Sequence, residues 1–117
     1  GRKELGKQSE QLARQYLERR GYRLVEANFP CRWGEIDLIL KKGQELVFAE
    51  VRSRSNLHYG TPAESVDEKK RAKLRKTAQY YLYCHPDMEE YYCRFDVLSV
   101  LLEKGRARIK WLADAFQ

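Results

Sequence analysis

The sequence reads as an α/β sandwich around a mixed β-sheet, in the order helix, three strands, helix, two strands. Three observations predict it. Residues 3–20 and 65–84 repeat apolar side chains at helical spacing. Two runs rich in Ile, Leu, Val and Phe, Glu35–Lys41 and Glu45–Arg54, flank the turn signal Lys42–Gly43–Gln44. Both faces of that hairpin are apolar, as in a sheet covered on both sides. A chain of 117 residues, 43% hydrophobic and 34% charged, can bury a core and has room for one domain, residues 1–117.

The first helix places Leu5, Leu12, Ala13, Tyr16 and Leu17 on one face, and Gly21 supplies its stop. Tyr22–Phe29 alternates imperfectly and predicts a strand, ended by Pro30, with Cys31–Arg32–Trp33–Gly34 as a loop or bulge. After the hairpin, Asn56–Pro62 reads as a loop carrying Gly60. Ser65-x-x-Glu68 matches a capping box opening the second helix, which runs to Cys84 with the stripe Leu74, Ala78, Tyr81 and Leu82. Pro86 closes it. Tyr92–Leu102 is the next strand, and Lys104–Gly105 turns into a last one, Arg106–Leu112.

Composition narrows the function. A net charge of +6 and a pI near 9.3 favour polyanionic partners, nucleic acid above all. Cys31, Cys84 and Cys93 are odd in number and form no C-x-x-C pair, so reduced thiols of a cytoplasmic protein are expected. Neither His58 nor His85 has zinc-finger spacing to them. No apolar run approaches the roughly 18–20 residues of a membrane span, and no signal-peptide core appears.

The hairpin is the most informative segment. With Gly43 and Gln44 as a two-residue turn, Lys42 pairs with Glu45, Ile39 with Phe48, and Asp37 with Glu50. Glu35 then faces Arg52 on the same side. Opposed Cβ atoms lie about 4.5–5.5 Å apart, so two carboxylates there repel. Leu46, Phe48 and Ile39 share their face, while Ile36, Leu38, Leu40, Val47, Ala49 and Val51 form the other. A hard divalent cation, Mg²⁺ or Mn²⁺, is the simplest neutraliser. A structural pair softened by Arg52 is the alternative.

Helical spacing brings Glu10 to the border of the first helix's apolar stripe, beside Gly6, Ala13 and Leu17. Gly6 and Ala13 are small enough to let that part of the helix sit close to a sheet. The second helix carries Lys69, Lys70, Arg71, Lys73 and Lys76. Lys70 sits one turn before Leu74 on the inward stripe, where a cation suits charge developing on a phosphate. Lys69, Arg71, Lys73 and Lys76 splay outward and offer phosphate contacts.

Gly34-Glu-Ile-Asp37-Leu-Ile followed by Val47-Phe-Ala-Glu50-Val-Arg52 resembles the D-x(n)-E-x-K core of restriction-endonuclease-like nucleases. More closely, the chain resembles the YraN family of small bacterial proteins, distant relatives of archaeal Holliday-junction resolvases. The ordered set that carries the likeness is Gly6-x-x-x-Glu10-x-x-Ala13, Tyr16-Leu17, Gly21-Tyr22, Asn28, the two strand motifs, Tyr59-Gly60-x-Pro62, Lys70, Ala78, Tyr81-Leu82 and Arg94-Phe95-Asp96-Val97. The resemblance implies a three-layer restriction-endonuclease-like sandwich with a five-stranded sheet. It also implies metal-dependent cleavage of structured DNA, with Asp37 and Glu50 as metal ligands and Glu10 completing the cluster. Arg52 stands where the motif has lysine; it keeps its proton, so it can stabilise charge but not act as a base. Resolvase relatives act as dimers, which makes a homodimer the implied assembly. A catalytically silent nucleic-acid-binding module on the same fold is the other functional reading.

Overall fold

The computed structural model describes residues 2–54 and 61–117; the expected loop around Gly60, with Tyr59 and His58, lies outside them. Helix α1 spans Arg2–Glu18, followed by strands β1 (Arg23–Cys31), β2 (Gly34–Lys42) and β3 (Glu45–Arg54). Helix α2 spans Glu68–Cys84, and strands β4 (Tyr92–Glu103) and β5 (Arg106–Phe116) complete the chain. Short 3₁₀ turns, Ala63–Ser65 and Pro86–Met88, flank α2. The predicted order αβββαββ holds, and so does the mixed five-stranded sheet. Its strands lie in the order β1-β2-β3-β4-β5, antiparallel except for β3 and β4, which run parallel.

The two helices cover opposite faces. Ala13 and Leu17 of α1 bury against Leu38, Leu40, Val47, Ala49, Leu98 and Val100. Leu74, Ala78 and Tyr81 of α2 bury against Ile39, Leu46, Phe48 and Val97. Successive residues of β3 therefore feed different layers, as the period of two requires. Each fully buried aliphatic side chain contributes about 1.5–3 kcal/mol of transfer free energy. No helix among the described residues is long and apolar enough to cross a membrane.

Two local expectations are corrected. The cap of α2 is Asp67, whose Oδ1 accepts from the Lys70 N–H at 2.8 Å, not Ser65. Ser65 lies in the preceding 3₁₀ turn and donates to the Pro62 carbonyl at 2.6 Å. Gly6 is not a close-approach site, since a Cβ built there meets nothing within 4 Å. Ser9, buried and bonded to Ser53 at 3.2 Å, makes the tight contact instead.

β5 runs past Leu112 to Phe116 because its register slips opposite Phe95–Val97, with Asp114 in the left-handed region at φ 53°. An aspartate tolerates that conformation. The Asp114 N–H donates to Asp96 at 2.9 Å, and Asp96 is the centre of a buried polar network. It also accepts from Trp111 Nε1 at 2.8 Å and Arg94 Nε at 3.0 Å. Arg94 in turn donates to Tyr22 Oη at 2.7 Å and pairs with Glu45. Burial works against the Arg94 charge, but the bonds to Asp96 and Tyr22 outweigh it and hold its pKa above the ordinary value. Asp96→Ala takes the buried carboxylate away from Arg94 and orphans the Trp111 and Asp114 N–H donors, so we expect it to cost about 3–5 kcal/mol. That lowers the melting temperature by roughly ten degrees or more. A thermal melt shifted by less than two degrees would contradict this role.

Candidate metal centre

The site forms where the β-ladder gives way. β2 and β3 pair as counted from the turn: Lys42 with Glu45, Ile39 with Phe48, Leu38 with Ala49. The next pair by count, Asp37 and Glu50, makes no backbone rung. Instead the Val51 N–H donates to Asp37 Oδ2 at 2.8 Å. A carboxylate has replaced a carbonyl in the ladder, which satisfies the donor and holds the acid at the parting of the strands.

β1 breaks at the same level. Ala27 pairs with Leu38 and Phe29 with Ile36, so the count puts Asn28 opposite Asp37. Asn28 has φ 53°, a left-handed conformation that asparagine accepts more readily than most residues. Its Nδ2 donates to Glu10 and to Glu35, each at 2.8 Å. Beyond this kink Phe29 and Ile36 turn to the α2 layer, although strict alternation puts Ile36 with Leu38 and Leu40 on the α1 side. Irregularities of this kind re-aim side chains at functional sites.

Glu10, Glu35 and Asp37 thus converge, with a carboxylate oxygen of each within 4.8 Å of the others. Glu10 comes from α1 and the other two from β2. Glu50 reaches Asp37 from β3 and is 5% exposed. Its Oε2 meets Arg52 Nη1 at 3.4 Å and Lys70 Nζ at 3.6 Å. Both separations exceed the roughly 2.7–2.9 Å of a tight charge-assisted bond. The structure therefore gathers Glu10, Asp37, Glu50, Arg52 and Lys70 into one cluster. It corrects one partner: Arg52 contacts Glu50, not Glu35, because Glu35 is held by Asn28.

Glu35 and Asn28 were missed as site residues by the reasoning from spacing. The opposed-pair count assigned Glu35 to Arg52, and nothing in hydrophobic pattern reveals a left-handed asparagine. The Glu35 carboxyl at the start of β2 was readable; its direction was not.

The electrostatics follow from burial. Asp37 is pushed up to about 8, first by loss of water, then by Glu50; the Val51 N–H opposes the rise. Glu10 is also raised, by burial first, with Asn28 opposing and Glu35 and Glu50 reinforcing. The donor set is all oxygen, from three acids, two of them half-buried and one exposed. Such a set fits Mg²⁺ or Mn²⁺, whose ligand oxygens sit about 2.0–2.2 Å from the ion. It offers no soft sulfur or imidazole for zinc.

On α2, Lys69, Lys73 and Lys76 are exposed, as expected of phosphate-contacting residues. Arg71 is not splayed outward. Its Nε donates to the Val66 carbonyl at 2.9 Å and its Nη2 to Ala63 at 3.0 Å, while the guanidinium lies over Phe116. Arg71 thus ties the start of the 3₁₀ turn, at Ala63, to the residue that follows it, Val66.

Residues 9–100 match the model of a family described as "Uncharacterised protein family UPF0102". A UPF0102 protein of Nitrosococcus oceani is 46% identical over 112 residues, covering 96% of this chain and 90% of that protein. One from Ectopseudomonas mendocina is 43% identical, covering 97% and 94%. One from Caldicellulosiruptor bescii is 38% identical, covering 97% and 98%.

The raised Asp37 makes a stability prediction. Unfolded, Asp37 loses its proton near 3.8; folded and metal-free, it keeps the proton until about 8. The native state thus binds more protons between those values, and stability falls as pH rises through that window. Asp37→Asn removes the penalty. In EDTA its melting temperature should exceed wild type by a margin that grows steadily from pH 4.5 to 8. A constant or shrinking margin would count against the buried neutral acid.

Proposed function

We propose that this chain, which belongs to the uncharacterised protein family UPF0102, is a divalent-metal-dependent endonuclease acting on branched or otherwise structured DNA. The observation that carries the reading is the convergence of Glu10, Glu35 and Asp37 on a half-buried point next to the buried Glu50. Like charges brought together out of water are costly, and no hydrophobic requirement of the fold puts them there. Perturbed acids in such a setting favour a functional site.

In this proposal Asp37, Glu10 and Glu50 hold Mg²⁺ or Mn²⁺, with Glu35 as a further oxygen donor. When bound, the ion supplies a more acidic water and neutralises charge on the scissile phosphate. The chain's own residues do the rest. Asn28 orients Glu10 and Glu35 together through one amide. The N–H of Val51 fixes the rotamer of Asp37. Lys70 and Arg52 stand on the far side of Glu50 and supply fixed positive charge for the phosphate oxygens as negative charge grows on them. Arg52 holds its proton throughout and is no base. Lys69, Lys73 and Lys76 add sequence-independent affinity. Cleavage of a four-way junction requires paired cuts, which a homodimer provides by its two-fold symmetry.

The second reading, a silent nucleic-acid-binding module, draws on one observation: Arg52 and Lys70 already face Glu50 from within the protein. Cleavage assays separate the two. Junction, flap and single-stranded DNA should be cut with Mg²⁺ or Mn²⁺ and not in EDTA. Asp37→Asn and Glu50→Gln should each lower the rate at least a hundredfold while melting cooperatively. Full cleavage by both variants discards the nuclease reading. DNA binding with no metal-dependent cleavage of any substrate selects the silent module.

A further inference from the structure

The basic side of α2 carries an ordered pattern that the acid cluster does not use. Lys69, Lys73, Lys76, Tyr80 and Tyr83 recur at spacings of four and three. At about 100° per residue they fall within an arc of about 80°, forming a single stripe about 21 Å long. All five are exposed, Tyr80 at 42% and Tyr83 at 83%, well above what tyrosine needs for a rim position. None of the three lysines has an ion-pair partner among the described residues.

The turn between β1 and β2 lies alongside. Arg32, Trp33, Lys69, Ala72, Lys73 and Lys76 line a groove of about 380 Å³. The Arg32 guanidinium sits 5.2 Å from the centre of the Trp33 ring. Trp33 meets Tyr80 edge-on with ring centroids 6.3 Å apart, and Tyr80 continues to Phe29 at 6.1 Å. The turn is held in place through Cys31, whose Sγ lies 3.3 Å from Thr77 Oγ1 on the helix and accepts the Trp33 N–H. An indole and a phenol thus form a shelf beside a row of three unpaired cations. The row starts next to Lys70, the residue that contacts Glu50.

We propose that this groove binds an unpaired nucleic-acid strand, with phosphates on Lys69, Lys73 and Lys76 and bases stacked on Trp33 and the tyrosines. A duplex shields its base faces and has no use for an aromatic shelf. A single strand presents them, and base–aromatic stacking tolerates any sequence. The stripe length suits a short segment, on the order of four nucleotides. As a path leading to the acid cluster, the inference rests on the nuclease reading and specifies that its DNA carries a single-stranded arm.

Binding of labelled (dT)₁₂ and of a 12-base-pair duplex, measured by anisotropy in EDTA at low salt, tests this without cleavage. Wild type should bind (dT)₁₂ several-fold more tightly than duplex. Trp33→Ala should weaken (dT)₁₂ binding tenfold or more, and Trp33→Phe less than threefold. Lys73→Gln with Lys76→Gln should reduce the salt slope by about 1.4, two contacts at about 0.7 each. All variants alter surface side chains, and unchanged melting temperatures verify their folding. Unchanged (dT)₁₂ affinity in Trp33→Ala overturns the proposal, as does equal affinity for duplex. Trp33-dependent binding by a protein that cuts nothing sinks the nuclease reading and leaves this groove standing.

Discussion

The Val51 N–H needs an acceptor, and the side chain of Asp37 provides it. From this substitution of a carboxylate for a backbone carbonyl the rest of the site follows. β2 and β3 stop pairing past Leu38 and Ala49, so a cleft opens between them. The acid in that cleft is anchored at one oxygen and buried among Glu10, Glu35 and Glu50. A water-exposed aspartate would do none of this, because its charge would be solvated and its rotamer free. The irregular backbone at Asn28 is the matching feature on the other side, and the two together turn Phe29 and Ile36 toward α2.

Much of this architecture was readable from residues. The hairpin register was set by Gly43 and Gln44, since a two-residue turn fixes every pairing that follows, and the pairs as far as Leu38–Ala49 match it. The two helices declared themselves by spacing, and α2 ended at Cys84 as expected. Failures occur where a side chain competes with the backbone. Asp67 outcompeted Ser65 as cap because the chain before it had already curled into a 3₁₀ turn. Phe29 and Ile36 crossed layers together past the irregular Asn28/Asp37 level, which no period-two count anticipates. Arg71 turned inward to the carbonyls of Ala63 and Val66, which only the folded turn brings within its reach. Of the candidate site, the acids Glu10, Asp37 and Glu50 and the cations Arg52 and Lys70 were identifiable; Glu35 and Asn28 required coordinates to show which neighbour they serve.

The molecule keeps two polar centres with opposite logic. Around Asp96 each charge has its counterpart: Arg94 answers the carboxylate, and Trp111, Tyr22 and the Asp114 amide complete the network. A network closed in this way rigidifies a core. Around Asp37 the acids outnumber the nearby cations, and the surplus shows in the raised Asp37 and Glu10. Matched charge belongs to structure, and the unmatched acids are what the proposed metal-binding role rests on. The first centre braces β4 and β5, so the second can carry its imbalance on the β1–β3 side without loosening the sheet.

The parallel pairing of β3 with β4 joins Glu45 to Tyr92 and Arg54 to Leu101 across the whole of α2. Contacts so distant along the chain make ring closure slow compared with forming hairpins. On a ribosome, the segment bearing all four acids emerges first, and its β3 edge stays open until the C-terminal hairpin arrives. An open, apolar strand edge recruits other chains. The vulnerable moment of this protein is therefore its birth, when the half that bears the four site acids is made and β4 and β5 are still in the exit tunnel.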